Sequence, residues 1–280
     1  MSTTRLVLLG TGGGPTPKAS RSAPGQAVLV DDQAYLIDAG NGIARQLILA
    51  GIQPNSLNTI LVTHHHSDHN ADLGTVLLLN WGANLDHPVD VYGPPPTTRM
   101  LRSFFEMQRQ DIETRIADEG RPDLRQLVTA HDVTGPGLVC EDSRVRITAA
   151  LVDHPPFEVA LAYRIDTDDR AIVISGDTAP CQALIDLAKG ADILVHEVLY
   201  EPALDWIVAR SSGSNLWQHL VNSHTSVYDV GRIAEAAGVP TLVLSHFVPG
   251  DDRVPEEVWT AEASKGFSGT VIAGRDLMAL

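Results

Sequence analysis

Ile60-Leu61-Val62-Thr63-His64-His65-His66-Ser67-Asp68-His69 decides how this chain is to be read. A short apolar run with the pattern of a buried strand opens directly into His-x-His-x-Asp-His. Imidazole nitrogens and carboxylate oxygens are the ligands of zinc and related ions. Crowded onto one short segment, they would repel protons and one another unless a cation stood among them. The internal position, with Ser67 and Asp68 inside the run, excludes an affinity tag. A polar loop accounts for one histidine but not for this spacing, so the segment is a metal-binding motif at the end of a strand.

Further ligand candidates lie far downstream. His154 follows the apolar run 145–151, Asp177 follows 171–175, and His246 follows 241–245. Each stands within a few residues of the C-terminal end of a predicted strand, where folds that mix α and β elements assemble sites from distant segments. The set is then His64, His66, Asp68, His69, His154, Asp177 and His246. One tetrahedral ion cannot use so many.

In that order these residues resemble the metallo-β-lactamase superfamily of binuclear metallohydrolases. The resemblance rests on His64 to His69, His154, Ser175-Gly176-Asp177-Thr178 and Ser245-His246-Phe247, and covers most of the chain. It implies an αββα sandwich of the α+β class. It implies that His64, His66 and His154 hold one metal, that Asp68, His69 and His246 hold the second, and that Asp177 bridges the two. His65 has no ligand role in this pattern. Members that use iron for redox chemistry commonly carry Glu where His66 stands. The resemblance therefore points to two zinc ions, with manganese or mixed occupancy left open.

A narrower resemblance joins His196-Glu197 and His224-Thr225-Ser226 to the His-Glu and His-Ser-Thr motifs of ribonuclease Z. There a Glu–His pair is linked to protonation of the leaving group and to contacts with the scissile phosphate. The carry-over makes Glu197, His224 and Asp68 the catalytic candidates, with Asp68 orienting the nucleophile as well as binding metal. Glu197 orienting a ligand histidine, with His224 simply preceding a helix, is the plainer alternative. Ribonuclease Z also has a long tRNA-gripping arm between the third metal ligand and the bridging aspartate. Only a hairpin-like stretch separates His154 from Asp177 here, a layout more similar to the arylsulfatase and phosphodiesterase relatives of that family.

Composition adds limits. A chain of 280 residues with 44% apolar content can bury one large core or two smaller ones. No linker or low-complexity run interrupts it, and ligand candidates span 64 to 246, so residues 1–280 are expected to form one hydrolase domain. A net charge of −15 opposes a long polyanion. The arginines between Arg99 and Arg125 are balanced by acidic neighbours. The expected partner is accordingly a small ester; nucleic acid is disfavoured by the charge and the absent arm, no membrane is expected, and a homodimer is left open. Cys140 and Cys181 have no metal-site or disulfide-framework spacing. The N-terminal run is too short for a signal or a span, so the expected location is the cytoplasm.

Strands are expected at 6–9, 27–30, 35–38, 143–151, 159–165, 171–175, 193–195 and 242–245. Helices are expected at 42–50, 72–81 and 97–118, the last with a stripe of Leu101, Phe104, Phe105, Ile112 and Ile116. A further helix is expected at 227–237, started by Ser226 in a capping-box-like pattern with Asp229 and stopped by Gly238. The glycine-rich stretch 10–15 is followed by prolines and a strand, so it predicts a turn near the site and not a nucleotide cradle. Residues 201–222, with Trp206, Trp217 and His219, form either a lid or a locally packed helix pair.

A metal pair lowers the pKa of a water between its ions and clamps the oxygens of the attacked group. The leading function is thus a binuclear zinc hydrolase of a phosphodiester or similar small ester, working through a metal-bridging hydroxide. Arylsulfatase, phosphotriesterase, lactonase, β-lactamase and tRNA 3′-processing endoribonuclease activities are the alternatives on the same site. A non-catalytic metal-binding regulator ranks last, because a scaffold needs no open bimetal site.

Overall fold

The computed structural model describes residues 3–280; Met1 and Ser2, part of the N-terminal reading above, lie outside them. The first sheet contains β1 (Thr4–Gly10), β2 (Gly25–Val30), β3 (Gln33–Ile37), β4 (Leu57–Leu61), β5 (Val89–Gly93) and β6 (Val128–Asp132). The second contains β7 (Gly137–Glu141), β8 (Arg146–Leu151), β9 (Leu161–Asp166), β10 (Ala171–Ile174), β11 (Ile193–Leu199), β12 (Thr241–Val248) and β13 (Thr270–Ala273). The C-terminal β14 (Met278–Ala279) returns to the first sheet beside β1, so each sheet has seven strands.

Both sheets are antiparallel at one end and parallel at the other: β3 to β6 run parallel in one, β10 to β13 in the other. Parallel strands need helical crossovers, and those helices cover the outer faces. Strands buried on both sides should read as continuous apolar runs, and β2, β11 and most of β1 are buried along their length. Between the sheets lies a core of Leu6, Leu8, Tyr35, Ile37, Leu61, Leu161, Tyr163, Ile172, Ile193 and Val243, drawn from both. Two further cores lie between each sheet and its helices. The arrangement is the expected αββα sandwich.

Helix Val227–Ala237 has the expected bounds. Ser226 Oγ accepts from the Tyr228 amide at 3.4 Å, and Gly238 closes the helix at φ 69°. Asp229 does not complete a capping box; its carboxylate takes the Arg232 guanidinium. The helix expected at 97–118 is two, Thr97–Met107 and Arg109–Glu119, broken at Gln108. The break divides the apolar stripe. Leu101 stays in the sheet-facing core, while Ile112 turns into a small cluster with Trp81 and Leu124. Strands β5, β6, β7, β13 and β14 were not expected, although β5 alternates buried and half-buried positions. Among the described residues no helix is long and apolar enough to cross a membrane.

Candidate metal centre and active site

The C-terminal ends of β4, β8, β10 and β12 meet at one edge of the sandwich. There the structure brings all seven candidate ligands together. His64, His66, His154 and Asp177 form one group and Asp68, His69 and His246 another, with the donor atoms of each group within 4.8 Å of one another. Asp177 also groups with His224 and His246. In the first group His64 Nε2 and His154 Nε2 each lie 3.0 Å from His66 Nδ1. In the second, His246 Nε2 is 3.4 Å from Asp68 Oδ2 and 3.2 Å from Asp177 Oδ2.

The outer hydrogen bonds of these rings test whether a cation fits. His154 Nδ1 donates to the Ser223 carbonyl at 2.8 Å, so its Nε2 turns a bare lone pair into the cluster. His69 Nδ1 donates to Asp38 Oδ2 at 2.7 Å, and its buried Nε2 has no hydrogen-bond partner. The Thr63 hydroxyl gives its proton to Asp38 at 2.8 Å, so at 3.1 Å it can only accept from His64 Nδ1. His64 Nε2 is thereby bare as well. The buried Asp177 Oδ1 is without a partner. Lone pairs fixed inward and buried carboxylate oxygen left unpaired are costly as they stand and are what a divalent cation satisfies. Without a cation the balance has to be struck by protons. Burial opposes the Asp177 charge, yet His246 and His69 hold its carboxyl well below the usual range. Burial also disfavours protonated His69, yet Asp177, Asp38 and Asp68 hold it well above the ordinary value.

Two backbone features aim the ligands. His246 is the extra residue of a bulge in β12, since Glu197 pairs with Ser245 and Val198 with Phe247. Its φ of 45° is left-handed, a conformation a non-glycine residue adopts only where surroundings enforce it. Gly176, at φ 60°, precedes Asp177; a Cβ there would meet the Leu161 carbonyl and Thr63 Cβ, both at 2.9 Å. The glycine-rich turn does lie beside the site, where the Gly14 amide donates to Asp68 Oδ2 at 2.8 Å.

Asp38 is the candidate site residue that sequence reasoning missed. Its only signal was its place at the end of a predicted strand. It holds the Thr63 amide at 2.8 Å, the Thr63 hydroxyl and His69, and so sets two ligand tautomers at once. Asp38→Asn should weaken metal binding by about 10–100-fold, as supporting carboxylates of ligand histidines typically do. Competition with a chelating dye measures it; unchanged affinity would remove Asp38 from the centre. His65 has a different part. Its Nε2 reaches the Pro94 carbonyl at 2.7 Å and its Nδ1 lies 3.1 Å from the Asn70 amide, clipping the motif to the loop before helix Thr97–Met107.

Glu197 and His224 form a buried pair beside the ligands. Glu197 Oε1 accepts from His224 Nδ1 at 3.0 Å and from the amides of Thr178 at 2.9 Å and Thr225 at 3.2 Å. The His224 ring stacks on that of His246 with centroids 5.7 Å apart. Burial pushes its imidazolium down, but the charge and hydrogen bond of Glu197, with Asp177 and Asp68 behind them, outweigh this and lift it to about 9. With Nδ1 held by Glu197, a protonated His224 ring presents Nε2–H as a donor.

The segment 201–222 folds as short helices whose Leu204, Ile207, Leu216 and Leu220 pack against Leu199 and Val248. Neither tryptophan fills that interior. Trp206 is exposed, with the guanidinium carbons of Arg210 and Arg253 lying 4.1 and 3.2 Å from its ring centre, and Trp217 is exposed too.

Fold and site together define a metal-dependent hydrolase. The family model described as "Beta-lactamase superfamily domain" matches residues 33–247. Ribonuclease Z of Mycobacterium bovis (strain BCG / Pasteur 1173P2) is 34% identical over 275 residues, covering 97% of this chain and 96% of the relative. Ribonuclease Z of Mycobacterium avium (strain 104) is 36% identical over the same shares. The crystal structure of human tRNase Z, short form, superposes with a TM-score of 0.73 at 18% identity, covering 99% of this chain and 98% of that one. The chain belongs to the metallo-β-lactamase superfamily and, within it, to the ribonuclease Z-like proteins.

These relatives overturn the expectation of a small-ester partner with nucleic acid disfavoured, because the proteins similar along the whole chain are named as ribonucleases. Two physical reasons explain the error. Net charge sums over the whole surface, whereas ionic screening limits a bound phosphate to charges within about 8 Å. At the site Lys18 and Arg21 line a cavity of about 200 Å³ that reaches Asp68. The missing arm was also a poor criterion. The Mycobacterium relatives are matched over 96% of their own length, which leaves them little room for a long insertion absent here.

Proposed function

We propose that this chain is a ribonuclease Z that hydrolyses the phosphodiester at the 3′ end of precursor tRNA, with two zinc ions as cofactors. The observation that carries this is the His224–Glu197 pair set against the converging ligands, in a chain similar from end to end to enzymes of that name. His64, His66 and His154 would hold one ion and Asp68, His69 and His246 the other, with Asp177 shared between them; the imidazole majority favours zinc, and the two carboxylates are what manganese would use. When bound, the ions supply Lewis-acid activation of water and neutralise charge on the phosphate.

The chain's own residues do the rest. Asp38, Thr63 and the Ser223 carbonyl fix the ligand rings, so no reorganisation is needed at the moment of reaction. Asp68, held by the Gly14 amide, orients the attacking water. Glu197 holds His224 by Nδ1, and Nε2–H delivers its proton to the departing alcohol oxygen. Residues 1–280 act as one catalytic unit, because the ligands come from both sheets. The proposed location of the protein is the cytoplasm.

Side-by-side kinetics of zinc-loaded protein on a precursor tRNA and on bis(p-nitrophenyl) phosphate test this. Accurate cleavage at the tRNA 3′ end is expected. Hydrolysis of the small diester with no cut in the precursor would refute the ribonuclease Z assignment. Elemental analysis should return two metals per chain. Chelation should abolish activity and destabilise the fold by at least about 3 kcal/mol at metal concentrations a hundredfold above Kd, read as a drop in Tm. A single tightly bound metal, with no second site on titration, would overturn the binuclear centre.

A further inference from the structure

His219 is not among the seven ligands and takes no part in the mechanism above, yet it stands over the centre. It lies on helix Leu216–Ser223, one turn before Ser223, the residue that precedes His224. Its ring centre is 5.6 Å from that of His66, 6.0 Å from His154 and 6.0 Å from His224. His64, His154, His69 and His224 are buried; His66 and His219 are the partly exposed rings of the group, so the centre opens to solvent between them. The Phe157 ring stands edge-on to His66 from another side at 4.7 Å and is also partly exposed. A nucleotide whose phosphate enters between these rings meets His219.

The hydrogen bonds of the helix end fix what His219 offers it. The Ser223 hydroxyl donates its only proton to the Pro155 carbonyl at 2.7 Å. It can therefore only accept from His219 Nδ1, 3.3 Å away. With the proton on Nδ1, the neutral ring carries a lone pair on Nε2, at the end away from Ser223. An acceptor cannot bind a non-bridging phosphate oxygen, which is itself an acceptor. The donor a nucleotide presents next to its phosphate is the ribose hydroxyl, the group that separates RNA from DNA.

We propose that His219 Nε2 accepts a hydrogen bond from the ribose 2′-hydroxyl of a nucleotide flanking the scissile phosphate, making His219 a sugar-discriminating residue and Ser223 the residue that sets its tautomer. The inference rests on the chain acting on RNA, and its test is kept separate from cleavage. Binding of a labelled short oligoribonucleotide to the zinc-loaded full chain is measured by fluorescence anisotropy, together with analogues carrying a single 2′-deoxy substitution at each position in turn. The unmodified protein should bind one of these analogues about tenfold more weakly than the all-ribose form, the order expected of one hydrogen bond. His219→Ala should bind the two forms equally, with metal content unchanged. Ser223→Ala, which keeps the carbonyl that holds His154, should retain only part of the discrimination. His219→Gln, which restores an acceptor, should recover part of it. Equal discrimination by the unmodified protein and His219→Ala would overturn the proposal, as would an unmodified protein that prefers ribose at no position. Failure to cut precursor tRNA with ribose discrimination intact would instead sink the tRNA assignment and leave His219 in its role.

Discussion

Asp177→Ala should lose turnover by about 10³-fold or more and lose bound metal with it. Asp177 is the one carboxylate that falls within both ligand neighbourhoods, grouped with His64, His66 and His154 on one side and with His224 and His246 on the other. Its Oδ2 lies 3.7 Å from His64 Nε2, 3.3 Å from His69 Nε2 and 3.2 Å from His246 Nε2. Removing it leaves the five ligand imidazoles facing one another around one fewer negative charge. The electrostatic stabilisation lost is several kcal/mol, and each 1.36 kcal/mol is tenfold in rate. Metal content and turnover of the purified variant, measured on the same sample, check the prediction. A variant with full metal content and near-normal rate would remove Asp177 from the centre.

His224→Ala should behave differently: turnover down by about 10²–10⁴-fold, the range for loss of a positioned proton donor, with metal content intact. The distinction follows from position, because Nδ1 of His224 is committed to Glu197 and lies 4.0 Å from Asp177. The pH profile gives a second handle. A group whose value is raised on folding keeps its proton until pH passes the folded value, so the acid form of His224 is lost on the basic side as pH rises toward about 9. Bound cations would neutralise the contributions of Asp177 and Asp68 and leave that of Glu197. The basic limb of turnover should therefore fall at or below pH 9, and Glu197→Gln should move it lower. A His224 variant that loses metal as the Asp177 variant does would show that the two roles are misassigned.

The relation between Asp38 and His69 shows where sequence reasoning stops. The spacing His64, His66, Asp68, His69 is local, and local spacing fixes which side chains leave a strand end together. It was readable for that reason, as was helix Val227–Ala237 with its serine start and glycine stop. His154, Asp177 and His246 were readable as strand-end residues, because apolar runs announce where strands end. Asp38 had the same announcement but no spacing to mark it, and its partners lie 25 and 31 residues away. The helix break at Gln108 had no proline or glycine to signal it; the packing of Ile112 onto Trp81 and Leu124 decided it.

By itself the sequence determined the chemistry of the site and the class of fold, since ligand identity, apolar runs and caps depend on neighbours along the chain. Only the tertiary structure decided the tautomers of His64, His69 and His154, the bulge that turns His246 inward, and the seat of His219 over the centre. Each of these depends on a hydrogen bond or ring contact between segments that no pattern along the chain relates. Net charge misled for the same reason: it is a sum over the whole surface, and binding is settled by the few charges that folding brings to the cleft.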